Sequence, residues 1–306
     1  MDKLSILDKI KDIYDNGENV IQYLKNIEGN SENTIEDIMI SYDFQAGSYY
    51  NGYKNNKQRY DSYHDKIAEI LGIYINDIKN CVLMEAGIGE ATTLGPVMKR
   101  IGINNVDKIY GFDISWSRVK YAKKFLGELL ENDAVNLFVG DMFNIPIKDN
   151  SIDILYTAHA IEPNGGKEKE ILQELYRVTS KYLVLFEPAY ELADEESKKR
   201  MESHGYITNL YNTALELGYN VKSYELLGVS MNQKNPTGVM VIEKSEVNGE
   251  TKEDTVFCDP ISKKILKFVD NVAYCESSML MYPIILDIPC LIKSNAIIGT
   301  KFNDFV

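Results

Sequence analysis

Apolar positions recur with two different periods along this chain, and the change of period divides it. Over 1–29, Leu4, Ile6, Leu7, Ile10, Ile13 and Tyr14 return at helical spacing, and Ile21 and Leu24 continue the pattern, so helix is predicted. A second helical stretch is predicted near 34–42. Between 42 and 63 the pattern lapses: Tyr49, Tyr50, Tyr53 and Tyr60 alternate with Gly47, Gly52 and asparagines. Regular structure is expected to break there, leaving a Tyr-rich lid or pocket wall.

From Asp65 onward amphipathic stretches at 66–75, 93–101, 116–130 and 167–178 alternate with short apolar runs at 81–84, 108–112, 135–139, 152–156 and 182–186. Short buried runs separated by helices predict a parallel sheet covered on both faces. After Pro188 two helices, near 191–204 and 207–217, lead into strands at 220–227 and 238–243, read as an antiparallel closing pair. The polar stretch 245–254 reads as a linker. Beyond it, 272–275 and a run at 282–292 broken by Pro283 and Pro289 suggest short strands of their own. The expected fold is α/β with a parallel sheet closed by an antiparallel hairpin. Its parts are N-terminal helices with the Tyr-rich segment (1–64), the α/β domain (65–244), a linker (245–254) and a small, mostly-β domain (255–306).

Composition narrows the function. The 306 residues are 44% hydrophobic and 26% charged, as in ordinary globular proteins. A net charge of -13 argues against nucleic acid, whose phosphates call for a basic face. Lys120, Lys123 and Lys124 cluster, but acidic residues surround them. No apolar run nears the ~20 residues that span a bilayer, and the charged start has no signal-peptide core, so a cytoplasmic protein is expected. Cys81, Cys258, Cys275 and Cys290 contain no C-x-x-C pair, and no disulfide framework is expected.

Three signals carry chemistry. Glu85-Ala86-Gly87-Ile88-Gly89-Glu90-Ala91 follows a strand and precedes a helix, where glycines let backbone approach a ligand. Asp113, with Ile114 beside it, ends the next strand, where a carboxylate accepts hydrogen bonds from ribose hydroxyls. Asp141 and Met142 end the third, placed to meet an adenine amino group and ring. An acid at one strand end is often only a cap; three in register point to a nucleoside site.

These residues resemble the class I methyltransferases that use S-adenosylmethionine. The resemblance covers roughly 66–244 and implies roles for each residue. Glu85 would contact the amino-acid end of the cofactor, Gly87 and Gly89 would form its turn, Asp113 would hold the ribose, and Asp141 with Met142 the adenine. Asn150 to Tyr156 is similar to the family's fourth strand and its lead-in. A nicotinamide dinucleotide site would want a glycine where Thr92 stands, and an apolar residue in place of Glu85.

The residues after the fourth strand should face the acceptor. His159 sits where a general base is useful, and it also lines the expected cofactor pocket. Glu162 and Asn164, with Tyr49 and Tyr50 from the Tyr-rich segment, are candidate acceptor contacts. His64 and His204 read as structural or surface residues, although His64 follows the tyrosines.

The C-terminal segment resembles a small zinc-ribbon-derived domain that activates certain methyltransferases, through Asp259-Pro260-Ile261-Ser262, Tyr282-Pro283-Ile284 and Asp287-Ile288-Pro289. Metal-binding members carry cysteines where Asp259 and Ser262 stand, so a metal-free domain is expected, with self-association as one role. The resulting expectation is methyl transfer from S-adenosylmethionine, leaving S-adenosylhomocysteine, to a hydroxyl or amine of a small molecule such as a sugar or glycan precursor. A protein or RNA methyltransferase, or a non-catalytic cofactor-binding scaffold, are the other readings.

Overall fold

The computed structural model describes residues 2–29, 33–130, 134–245 and 256–306. Five helices open the chain: α1 (Leu7–Asp15), α2 (Val20–Glu28), α3 (Ile35–Phe44), α4 (Ser48–Asn55) and α5 (Gln58–Asn76). The continuous helix expected over 1–29 is divided, because the chain turns at Gly17 and restarts on Asn19, whose side chain accepts the Gln22 amide at 3.0 Å. α3 begins on a capping box in which Thr34 and Asp37 satisfy each other's amides.

The break expected across 42–63 is a correction. Two short breaks remain, one at 45–47 with Gly47 at φ +95° and one at 56–57, and 48–55 between them is helical. Gly52 weakens α4 by its propensity. Burial of Tyr50, Tyr53 and Tyr63 among Ile67, Leu71 and Phe125 offsets that cost. The tyrosines, read as pocket wall, are mostly core.

The α/β part runs β1 (Val82–Ala86), α6 (Leu94–Ile101), β2 (Lys108–Asp113), α7 (Trp116–Leu130), β3 (Val135–Val139), β4 (Ile152–Ala158), α8 (Glu168–Val178) and β5 (Thr179–Pro188). It closes with α9 (Glu195–His204), α10 (Leu210–Glu216), β6 (Asn220–Leu226) and β7 (Thr237–Glu243). The seven strands lie in the order 3-2-1-4-5-7-6. The first five are parallel, and β7 runs antiparallel between β5 and β6.

Alternation along β1 splits the core. Val82, Met84 and Ala86 join Phe112, Phe138 and Leu155 on one face, while Leu83 joins Ile67, Leu71, Ile154 and Val184 on the other. Glu85 shares the second face and is 1% exposed. The strand order reverses at β1, with β2 and β3 to one side and β4 and β5 to the other. In open α/β sheets the crevice beyond the strand ends at such a point is where ligands bind.

The expected linker falls almost wholly outside the described residues. The C-terminal segment forms an antiparallel sheet of β8 (Lys267–Val269), β9 (Val272–Cys275), β10 (Leu280–Ile285), β11 (Ile288–Pro289) and β12 (Ile297–Ile298). It also continues the larger sheet: the Leu291 amide donates to the Val139 carbonyl at 2.8 Å, beside a parallel bridge between Val139 and Cys290. Its first turn is held by Asp259, which accepts from Tyr282 Oη at 2.7 Å and Ser262 Oγ at 2.5 Å. All four cysteines are buried, and none forms a disulfide among the described residues. Among the described residues no helix is long and apolar enough to cross a membrane.

Candidate active site

Three successive alternate residues after β1 take left-handed backbone: Gly87 at φ +72°, Gly89 at φ +53° and Ala91 at φ +59°. A Cβ on Gly87 would stand 2.4 Å from Ala160 Cβ and 3.3 Å from Met142 Cε. Only glycine leaves that floor open. Ala91 holds the third such position although it is not glycine, a feature the sequence does not signal.

Asp113 is 6% exposed at the end of β2 and accepts the Gly89 and Ser115 amides, each at 3.0 Å. Burial raises its pKa, more than Arg118 and the backbone amides lower it. Asp141 accepts the Phe143 amide at 2.9 Å, and its carboxyl is likewise raised, first by burial. Gly87, Asp113, Ile114, Asp141, Met142, Ala160 and Asn164 line one cleft, and Ile35, Ile38 and Tyr42 of α3 supply its outer wall. The structure thus gathers most of the expected cofactor residues. Gly89 is not among the lining residues; its amide donates to Asp113.

Glu85 is not among the residues lining that cleft. It accepts the Tyr156 hydroxyl at 2.8 Å, and burial pushes its carboxyl up to about 8 despite that bond and one from the Leu94 amide. Its position follows from the strand alternation, which turns its side chain into the apolar layer.

His159 has φ +53° and both ring nitrogens engaged: Nδ1 with Glu162 Oε2 at 2.9 Å and Nε2 with Thr237 Oγ1 at 2.7 Å. Burial opposes its charge, but the Glu162 hydrogen bond and the charges of Glu162 and Glu187 raise its pKa overall. Glu162 also accepts Asn235 Nδ2 at 3.0 Å. Both ring nitrogens are thus already engaged in side-chain hydrogen bonds. Glu187, at the end of β5, accepts the Ala160 amide at 2.9 Å and the Ile161 amide at 3.3 Å. Its Oε2 lacks a hydrogen bond of good geometry among the described residues, and burial pushes the carboxyl up to about 7, although the His159 charge and the Thr157 hydroxyl lower it.

The two tyrosines expected at the acceptor part company. The Tyr49 ring is half-exposed, with the Arg118 guanidinium 5.0 Å from its centroid. Tyr50 is not brought to the cleft, because its hydroxyl donates to Glu128 at 2.8 Å. His64 is packed among Tyr53, Tyr60 and Tyr63, and burial lowers its pKa to about 4. His204 is exposed.

Several residues missed in the sequence join the N-terminal helices to the cleft. Asp43 accepts the Ser115 and Ser117 hydroxyls at 2.8 and 2.7 Å, and Arg118 Nε donates to the Tyr42 carbonyl at 3.1 Å. Glu90 accepts amides of the turn into α4. Asn33 Nδ2 donates to the Pro163 carbonyl at 3.0 Å, and Lys167 Nζ to the Asn33 carbonyl at 3.1 Å. Partners so distant in sequence leave no local pattern.

Known proteins bear on this geometry. Residues 84–184 match the family described as a methyltransferase domain. Among solved structures, the chain is similar to a putative S-adenosyl-L-methionine-dependent methyltransferase from Methanococcus maripaludis, at 20% identity and a TM-score of 0.48, over 72% of this chain and 99% of that one. It is also similar to magnesium protoporphyrin IX methyltransferase from Synechocystis PCC 6803, at 13% identity and a TM-score of 0.47, over 78% and 99%. A complex of a Haloferax volcanii methyltransferase activator with a putative methyltransferase matches at 13% identity and a TM-score of 0.49, over 67% and 100%. The matched segment runs from within β1 into β5 and holds the glycine turn, Asp113, Asp141 and His159. Residues 84–184 therefore carry a methyltransferase domain, set in a Rossmann-like sheet.

Proposed function

We propose that this chain transfers the methyl group of S-adenosylmethionine to a hydroxyl or amine of a small molecule, such as a sugar or glycan precursor, and releases S-adenosylhomocysteine. The reading is carried by one observation: a floor at Gly87 that no side chain can fill, flanked on the same cleft by Asp113 and Asp141. That donor set suits a nucleoside, with Asp113 accepting from ribose hydroxyls, Asp141 from an adenine amino group and Met142 against the ring. When bound, the cofactor supplies a methyl group on a positively charged sulfur, open to in-line displacement.

The chain's own residues then position and enclose. Holding the two reactants in line supplies much of such a rate. The loop after β4 presents Ala160 and Asn164 to the cleft, and the engaged His159 and Glu162 brace that loop. The α3 wall, and the bonds from Asn33 and Lys167 across the same loop, favour an acceptor small enough to pass beneath them. The net charge of -13 disfavours a polyanion. In this reading 65–244 is the cofactor domain and 1–64 is its cover.

Calorimetric titration with S-adenosylmethionine, S-adenosylhomocysteine and NAD, on the wild-type chain and Asp113→Ala, tests the proposal. Binding of the two sulfur nucleosides is expected, at least about tenfold weaker in the variant, since hydrogen bonds to a charged group contribute about 1.5–3 kcal/mol. Binding of NAD instead, or of none of the three, would overturn it.

A further inference from the structure

Arg118, in the first turn of α7, is 6% exposed and forms no ion pair among the described residues. Its Nε donates to the Tyr42 carbonyl at 3.1 Å and its Nη2 to Gln45 Oε1 at 3.3 Å. The guanidinium also lies over two rings, 4.2 Å from the Tyr42 centroid and 5.0 Å from that of Tyr49. At such distances a cation is attracted to an aromatic face. Nη1 is left without a hydrogen bond among the described residues. A Cβ on Gly89 would meet a single heavy atom within 4 Å beyond its chain neighbours, and that atom is Arg118 Nη1 at 3.7 Å. The space over this part of the glycine turn is therefore open, with a cationic N–H at its edge. Asp113, whose ionised form the Arg118 charge favours against burial, is already taken up by the Gly89 and Ser115 amides. A buried cation without a counter-charge is costly, and an anion at Nη1 would relieve it.

The order of the strands says which anion. β3, β2 and β1 lie side by side, Asp141 follows the first, Asp113 ends the second, and Gly87 and Gly89 follow the third. A nucleoside with its adenine at Asp141 and its ribose at Asp113 carries its remaining substituent on to the glycine turn. In S-adenosylmethionine that substituent is an amino-acid chain ending in a carboxylate. Glu85, expected at that end from the sequence, is instead bonded to Tyr156 in the apolar layer, and as a carboxyl it has no charge to offer another. We infer that Arg118 binds the carboxylate of the cofactor's amino-acid end through Nη1. A hydrogen bond between two ionised groups is among the strong ones. Because the same guanidinium holds Tyr42, which lines the cleft, it couples that end of the ligand to the α3 wall. The inference rests on the S-adenosylmethionine reading given above.

Calorimetry on the full chain compares S-adenosylhomocysteine with its decarboxylated analogue, in which a hydrogen replaces the carboxylate. The analogue is expected to bind the wild-type chain at least about tenfold more weakly, which corresponds to ~1.4 kcal/mol. In Arg118→Gln the parent ligand should weaken about tenfold and the analogue less than about twofold, so the gap closes while the circular dichroism spectrum stays unchanged. Arg118→Lys keeps the cation but not the planar fork, and should keep a gap of about threefold. Equal affinities for the two ligands in the wild-type chain would overturn the inference. So would equal losses of both in Arg118→Gln, which would leave the cofactor reading standing and Arg118 as a prop for Tyr42 alone. Binding of neither ligand to the wild-type chain would overturn that reading, and the inference with it.

Discussion

Glu90 and Gly47 meet across the two halves of the molecule: the buried carboxylate accepts the Gly47 amide at 2.9 Å, and the Tyr50 amide at 2.6 Å. A residue of the glycine turn thereby caps α4, to which no side chain of its own supplies a cap. Glu90→Ala strands two donors in a buried setting. A loss of about 2 kcal/mol in urea-melt stability is expected. Amide exchange should accelerate at 47–55 more than in β4. Uniform acceleration, or none, would show that the cap does not fasten the helix.

Gly87→Ala places a methyl group 2.4 Å from Ala160 Cβ, at a φ of +72° that side chains avoid. The left-handed backbone alone costs about 1–2 kcal/mol. Thermal melting should show the variant destabilised by at least that, and calorimetry should show loss of S-adenosylhomocysteine binding. Retention of wild-type affinity would mean that the ligand does not lie on this floor.

His159 owes its raised pKa to Glu162, against the opposing effect of burial. Glu162→Gln removes that carboxylate and leaves the burial, with only the smaller effect of Glu187 opposing it. In an NMR titration the ring of the wild-type chain is expected to lose its proton above pH 6.5. In the variant it should do so below that value. An unchanged titration would separate the ring from its carboxylate in solution.

Two buried carboxyls set a pH dependence. Glu85, pushed up to about 8, and Glu187, pushed up to about 7, hold protons in the folded chain that the unfolded chain releases near ~4.3. Between those values the folded state binds more protons, so stability falls as pH rises from about 5 to 8. His159, raised in the fold, adds to the same trend over the upper part of that range. Urea melts across the range should show the decline in the apo chain, and Glu85→Gln should flatten it. A slope that the substitution leaves unchanged would mean that Glu85 ionises normally in the fold.

What could be read in advance followed local rules. Strand positions, the glycine turn and the acids at three strand ends are each set by a few neighbouring residues, and the cleft holds Gly87, Asp113 and Asp141 together. Tyr50 and Glu85 take directions that depend on distant partners. Packing against Phe125 keeps 48–55 helical despite Gly52, and the pleat of β1 turns Glu85 away from the cleft. Glu90, Arg118 and Glu187 gain meaning only from residues tens of positions away. A strained alanine at 91 cannot be told from an ordinary one until its backbone is seen.

The bond from Leu291 to Val139 bears on how the chain keeps to itself. An open sheet has two borders, each a row of unused amides and carbonyls that invites another strand. Here the tail covers part of one border. A protein ending at residue 245 would keep its glycine turn and its acids, yet would bare β3 along with the greasy surface of Cys290's neighbours Val119 and Trp116. Such a shortened chain should bind ligand while fresh and then clump, which makes the tail a guard of solubility as well as a part of the fold.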